Sequence, residues 1–293
     1  MKKQFLSFCA FALLALTSCQ KAIIDDEEPR LQGDKVEVKF NISQLEQIDF
    51  NSPANSRAQE IKSLCSRINL AVYKDGERVE QVNQKTGDKN YGSPSVALTE
   101  GRYFVAILAH SSTENPTMTK PDKITFGRGM TDTFLWSDSI TVKDNEVKDI
   151  KMHRVVAMFR LITTDNIPSN VKSMKFYYTG GSSTISAVTG LGNANSKQTE
   201  VLPVSNDMIG KPGKFEVYTF PKDDENVLSM KITAQDAAET AVQVKSFEDV
   251  PISRNKITQY NGEFFTDSGT GDSKNIGVTL TTDDEWTTIA KTF

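Results

Sequence analysis

Reactive residues are scarce in this sequence. Its 293 residues include two histidines, three cysteines and two tryptophans. His110 and His153 each stand without a Cys or His close by, so the ligand spacing of a zinc site is missing and both are expected to serve structurally. Cys65 follows a leucine, with no histidine near it in sequence to activate a thiol. No Gly-x-Ser-x-Gly elbow occurs, and Gly190-Leu191-Gly192 lacks the remaining glycine of a dinucleotide-binding turn. The stretch from Asp267 to Asp272 offers oxygen donors but neither the alternating acids nor the closing Glu of a calcium loop. No motif therefore calls for a metal or a cofactor, and the chain is not expected to be an enzyme. Long apolar runs are missing too. The only sustained one, Phe5 to Leu16, falls short of the ~20 residues that a membrane-spanning helix needs.

That run has a different meaning. Lys2 and Lys3 precede it, and Leu16-Thr17-Ser18-Cys19 follows it. The arrangement resembles a bacterial lipobox, which implies that residues 1–18 are a signal peptide and that Cys19 is the lipid attachment site. Several acyl chains on Cys19 would hold the protein firmly on the outer membrane, since one chain alone binds only marginally. Cys65 would then be the sole free thiol, with no disulfide to form. Loss of Lys2 and Lys3 with an acid-free leader moves the formal net charge from −4 by two further units, to −6. An acidic surface excludes nucleic acid as a partner. Residues 19–34 form a lipidated tether. Within it Asp25-Asp26-Glu27-Glu28 resembles the acidic export signals of Bacteroidetes surface lipoproteins, or is simply a solvated spacer.

Beyond the tether, residues alternate. Val36, Val38, Phe40 and Ile42 fall on one face and Lys35, Glu37, Lys39 and Asn41 on the other, the period of a half-buried strand. Ser56 and Gln59 have capping-box spacing for one helical turn carrying Ile61, Leu64 and Cys65. Asp75-Gly76 is hairpin-turn chemistry. From Gly101 to Ala109 the residues are apolar on both faces, as in a central sandwich strand. The pattern restarts at Arg154, with strands expected over 155–161, 171–178, 215–220, 228–234, 242–250 and 257–265. Short strands separated by regular turns predict an all-β chain of two tandem β-sandwich domains, residues 35–153 and 154–266. Residues 267–293 are a linker and tail strand. Its Ile276, Val278 and Leu280 either close the second domain or pair with another chain.

Leu98-Thr99-Glu100-Gly101-Arg102-Tyr103-Phe104-Val105 resembles a strand of transthyretin-like sandwiches. Cys19, the first strand, Ser56-Arg57-Ala58, His153-Arg154-Val155-Val156-Ala157 and Asn255 to Phe264 follow in an order that resembles the fimbrillin-like anchor-subunit family of Bacteroidetes type V fimbriae. The resemblance implies two transthyretin-like sandwiches, other fimbrial subunits as partners, and assembly by strand exchange. Arg57-Ala58 resembles the junction at which an arginine-directed protease removes a fimbrillin's first strand. An anchor would keep that bond, because cutting it severs the lipid. Two further readings stay open: a shaft or tip subunit, and a carbohydrate-binding surface lipoprotein. For the latter Trp136, Trp286, Tyr177 and Tyr178 are stacking candidates, and one of the adjacent tyrosines must face outward.

Overall fold

A computed structural model describes residues 33–45, 61–223 and 225–266, with the backbone of 277–282 and 287–292. Cys19, the tether as far as residue 32, Ser56, Arg57, Ala58, Gln59, Ile276 and Trp286 lie outside the described residues.

The first half contains β1 (Val36–Leu45), a single helical turn α1 (Ile61–Leu64), β2 (Arg67–Lys74), β3 (Glu77–Lys85) and β4 (Ser95–Leu98). After these come β5 (Gly101–His110), β6 (Thr117–Lys120), β7 (Lys123–Thr125), β8 (Thr133–Val142) and β9 (Glu146–Arg154). Asp75 and Gly76 take φ values of 53° and 80°, so the two-residue loop between β2 and β3 is left-handed at both positions, the twist a tight hairpin favours. Seven strands form one sheet in the order β3-β2-β5-β8-β9-β1-β4. Its hinge is β9. Only Phe134↔Arg154 and Leu135↔His153 join β8 to β9. From Met152 back to Glu146, β9 instead runs parallel to β1. The sheet thus folds over itself, β3-β2-β5-β8 against β9-β1-β4, around Val38, Phe40, Leu70, Val72, Val105, Ile107 and Phe134.

The second half supplies β10 (Ala157–Thr163), β11 (Ser173–Thr179), β12 (Thr184–Ser186), β13 (Leu191–Gly192), β14 (Gln198–Pro203) and β15 (Lys214–Thr219). Then come β16 (Asn226–Gln235), β17 (Ala241–Ile252), β18 (Lys256–Gly262), β19 (Gly277–Thr282) and β20 (Thr287–Thr292). They build a four-stranded sheet, β14-β11-β16-β17, and a five-stranded one, β15-β10-β18-β20-β19. Between these sheets lies an aromatic core in which the Phe159 ring stands 5.4 Å from Tyr260 and 6.3 Å from both Phe176 and Phe247. Tilted and edge-on ring pairs of this kind add about 0.5–1.5 kcal/mol each beyond the area they bury.

The two halves repeat one topology. β1 lies between antiparallel β4 and parallel β9, as β10 lies between antiparallel β15 and parallel β18. Likewise β3-β2-β5-β8 corresponds strand for strand to β14-β11-β16-β17. Each half carries one insertion, β6-β7 after β5 and β12-β13 after β11. The insertions meet at Thr125↔Thr184 and Ile124↔Ile185 and form a shared four-stranded sheet, β13-β12-β7-β6. Beneath it Ala106, Leu108, Met118, Ile124, Phe126, Ile185 and Phe220 make a further core cluster. The two-sided apolar run of β5 is thereby explained: Val105 and Ile107 face one core, Ala106 and Leu108 the other.

Candidate functional site

Two features invite a functional reading: the strands at the chain's ends, and a cleft between the halves. β1 sits inside its sheet, not at an edge. Val38 and Phe40 are fully buried and Val36 nearly so, while Ile42 is half-buried beside a bulge between Ile42 and Gln44. Phe40 N–H donates to the Pro94 carbonyl at 2.9 Å and Ile42 N–H to that of Gly92 at 3.0 Å. On the other side Asn41 Nδ2 donates to Asp149 Oδ1 at 2.6 Å. Removing β1 would strip both neighbours of backbone partners and uncover the pockets filled by this apolar row, whose side chains contribute ~1.5–3 kcal/mol apiece.

At the other end, β18 leads into the tail past a fixed point. The Asp165 carboxylate accepts the backbone N–H groups of Phe264 (2.9 Å), Phe265 (2.6 Å) and Thr266 (2.8 Å). Burial alone would raise this carboxyl's pKa, but the three N–H donors hold it below the usual aspartate value. β20 then runs parallel to β18, and β19 pairs antiparallel with β20, with Val278 opposite Lys291 and Leu280 opposite Ile289. The backbone of 277–282 is thus paired within its own chain, and β19 is the outermost strand of its sheet. The matching flank of β9, Glu146–Met152, carries no further strand among the described residues.

The cleft has a volume of about 490 Å³, and residues from four separate stretches line it: Leu135–Ser137, His153–Val155, Ala187–Gly190 and Arg254–Asn255. Arg154 is buried and anchors one wall. Its Nε and Nη2 bind the two oxygens of Asp132, each at 2.7 Å, its Nη1 donates to Asn255 Oδ1 at 3.2 Å, and its guanidinium lies 4.8 Å from the Phe134 ring. Ser137 Oγ donates to the Ala187 carbonyl at 2.6 Å and ties the halves together beside the opening. Trp136 is half-buried, its ring 5.6 Å from that of Phe40. No sequence signal points to this cleft, because its outermost stretches lie more than a hundred residues apart.

The other candidates separate cleanly. Tyr178 is buried and donates to the Tyr218 carbonyl at 2.9 Å, whereas Tyr177 on the opposite face is 38% exposed. His153 is exposed at the cleft. His110 is fully buried: its Nε2 lies 2.7 Å from Asn69 Oδ1, and its Nδ1 accepts the Ser112 N–H at 3.1 Å. Burial, then repulsion from Arg67, lower its pKa to about 4. Cys65 is buried, and the loss of solvation drives its thiol pKa far up. Among the described residues no three His, Cys, Asp or Glu side chains gather as a metal site, and no helix is long and apolar enough to cross a membrane.

A family model described as a family of unknown function (DUF6562) matches residues 30–292. No curated protein matches the chain. Solved structures that resemble it include a candidate adhesin from Bacteroides ovatus, with 14% identity and a TM-score of 0.46 over 80% of this chain and 88% of that one. A candidate cell adhesion protein from Bacteroides eggerthii has 12% identity and a TM-score of 0.42, over 90% and 99% of the two chains. The fimbrial anchor protein Mfa2 from Porphyromonas gingivalis has 10% identity and a TM-score of 0.41, over 72% and 82%. At these scores the likeness assigns the chain no function.

Proposed function

The chain belongs to the family of unknown function DUF6562, and we propose that it is a surface lipoprotein that anchors a type V fimbria and joins neighbouring subunits by β-strand exchange. In this reading Cys19 carries the lipid, residues 35–153 and 154–266 are two transthyretin-like sandwich domains, and the protein keeps its first strand. The observation that carries the proposal is the placement of β1. An amino-terminal strand completes a core from the middle of its sheet, so its slot is a groove shaped for one alternating apolar strand. A groove of this kind can be filled by the chain's own strand or by one from another subunit. Arg57-Ala58, downstream of β1, is where a cut would choose between the two. The tail from Ile276 through Val278 and Leu280 is the segment we assign to contact with the filament.

N-terminal sequencing of the protein from purified filaments is the test. A chain blocked at Cys19 supports the anchor, and a chain starting at Ala58 makes it a shaft subunit. Co-purification with no filament, with surface fimbriae unchanged when the gene is deleted, ends the fimbrial reading. The lipid has its own check. Cys19→Ala should leave the protein soluble or as uncleaved precursor, and partition of that variant with membranes into detergent would remove Cys19 from the role. Carbohydrate binding is the second reading, favoured by the cleft.

A further inference from the structure

We infer that this fold bears tension along the chain: each half takes a pull on its two ends as shear between a parallel pair of strands. The property belongs to the folded chain itself and stands apart from any place in a fimbria.

The direction of loading follows from where the chain enters and leaves. It enters the first half at Val36, the start of β1, and leaves at Arg154, the end of β9. β1 and β9 run parallel, in register from Val38↔Glu146 to Leu45↔Met152. Entry and exit therefore lie at opposite ends of one ladder. A pull on both draws β1 and β9 in opposite directions along their common axis. The hydrogen bonds of the ladder lie across that pull and share it, so they have to fail together. In an antiparallel pair entry and exit would lie side by side, and the bonds would open one at a time.

Several contacts strengthen the first clamp. β4 flanks β1 on its other side, from Val36↔Leu98 to Lys39↔Ser95, so sliding β1 breaks two ladders at once. Asn41 Nδ2 donates to Asp149 Oδ1 at 2.6 Å, and Ser43 Oγ to the Ile150 carbonyl at 3.0 Å, both across the β1–β9 seam. At the loaded end Glu37 N–H donates to Asn145 Oδ1 at 2.8 Å. Val36, Val38 and Phe40 would also have to leave their buried positions, at the cost of their hydrophobic burial.

The second half repeats the device. The chain enters β10 at Ala157 and leaves β18 at Gly262, and these strands are parallel in register from Met158↔Ile257 to Thr163↔Gly262. β15 flanks β10 as β4 flanks β1. Just past the exit, the Asp165 carboxylate grips the N–H groups of Phe264, Phe265 and Thr266. β20 in turn lies parallel to β18, from Lys256↔Thr287 to Asn261↔Thr292, so a pull from beyond Thr292 again acts as shear. Between the halves the load crosses only Val155 and Val156. Val155 N–H donates to the Thr133 carbonyl at 3.0 Å, and the Val156 carbonyl accepts Asn255 N–H at 2.9 Å.

Single-molecule stretching of the chain from residue 20 onward, carrying Val147→Cys, tests the inference in two geometries. In one the chain is held at its two ends. In the other it is held at its amino end and at residue 147, which is 66% exposed and sits opposite Lys39 near the start of the β1–β9 ladder. Cys65 is buried and leaves residue 147 as the attachment point. The second geometry peels the ladder open from its start. Both use the same molecule with the same equilibrium stability, so a difference in rupture force reports the barrier in each direction. The rupture that frees the first half should need at least about twice the force when the ends are pulled. Asn41→Ala, which removes the bond to Asp149, should lower the end-to-end force and leave the peeling force unchanged. A smaller difference between the geometries, a stronger peeling geometry, or an equal loss in both with Asn41→Ala would each overturn the inference.

Discussion

Lowering the pH from 7 to 5 tests whether the buried His110 is held neutral by its surroundings. Its ring sits beside Asn69 and Ser112, 5.2 Å from the Phe126 ring and within the field of Arg67. In this geometry Nε2–H donates to Asn69 and Nδ1 accepts from Ser112, so a second proton would put two donors face to face. The folded pKa is about 4, against 6.5 for the ordinary side chain. The depressed value means that the folded state binds this proton less readily than the unfolded chain. Stability is therefore complete above about pH 6.5 and drains away as the pH falls toward 4. The difference corresponds to about 3.4 kcal/mol once both states are protonated, of which about 2 kcal/mol is already gone at pH 5. Urea unfolding of the wild type and of His110→Gln, followed from pH 7.5 to 5, isolates this histidine, because other titrating groups cancel in the difference. The variant will be less stable at pH 7.5, and the gap should close by about 2 kcal/mol at pH 5. Parallel curves would refute the reasoning and place a charged imidazole in the fold.

Two further outcomes follow from buried groups. Arg154→Ala leaves Asp132 without its guanidinium partner and should cost about 3–5 kcal/mol in urea unfolding, far more than loss of an exposed pair such as Lys35–Glu80, worth ~0–1 kcal/mol. Native protein should resist thiol reagents at Cys65 until it unfolds, and its melting temperature should move by less than a degree with reductant or chelator; a drop of several degrees would reveal a bond or ion that the fold depends on.

Much of the architecture could be read from alternation alone. β1, the Asp75-Gly76 turn and the opposed faces of Tyr177 and Tyr178 follow from periods of two and from turn chemistry, which are local properties. The short turn α1 spans Ile61–Leu64, where the apolar pair was expected, with Cys65 just beyond it. The shared sheet was not legible. Its strands are two to four residues long, too short to show a period, and the pairing that joins them, β7 with β12, crosses between the two halves of the chain. The repeat of topology was hidden as well, because the two halves fill equivalent strands with different apolar residues. The cleft escaped for another reason: it exists only where separately folded stretches converge, and Arg254 looks like any surface arginine until Gly190 is seen beneath it.

The shared sheet also has a consequence in time. Thr125 and Thr184 are 59 residues apart, and a chain made or exported from its amino end presents the first long before the second. Until β12 arrives, the outer face of β5 and the β7 edge remain wet, with Ala106, Leu108, Ile124 and Phe126 lacking the cover of Ile185 and Phe220. Long-range pairings of this sort form late and leave sticky intermediates behind them. The first half is thus an unfinished surface until the second is made, and a chain stopped near Arg154 would seek another copy to cover what β12 and Phe220 normally hide.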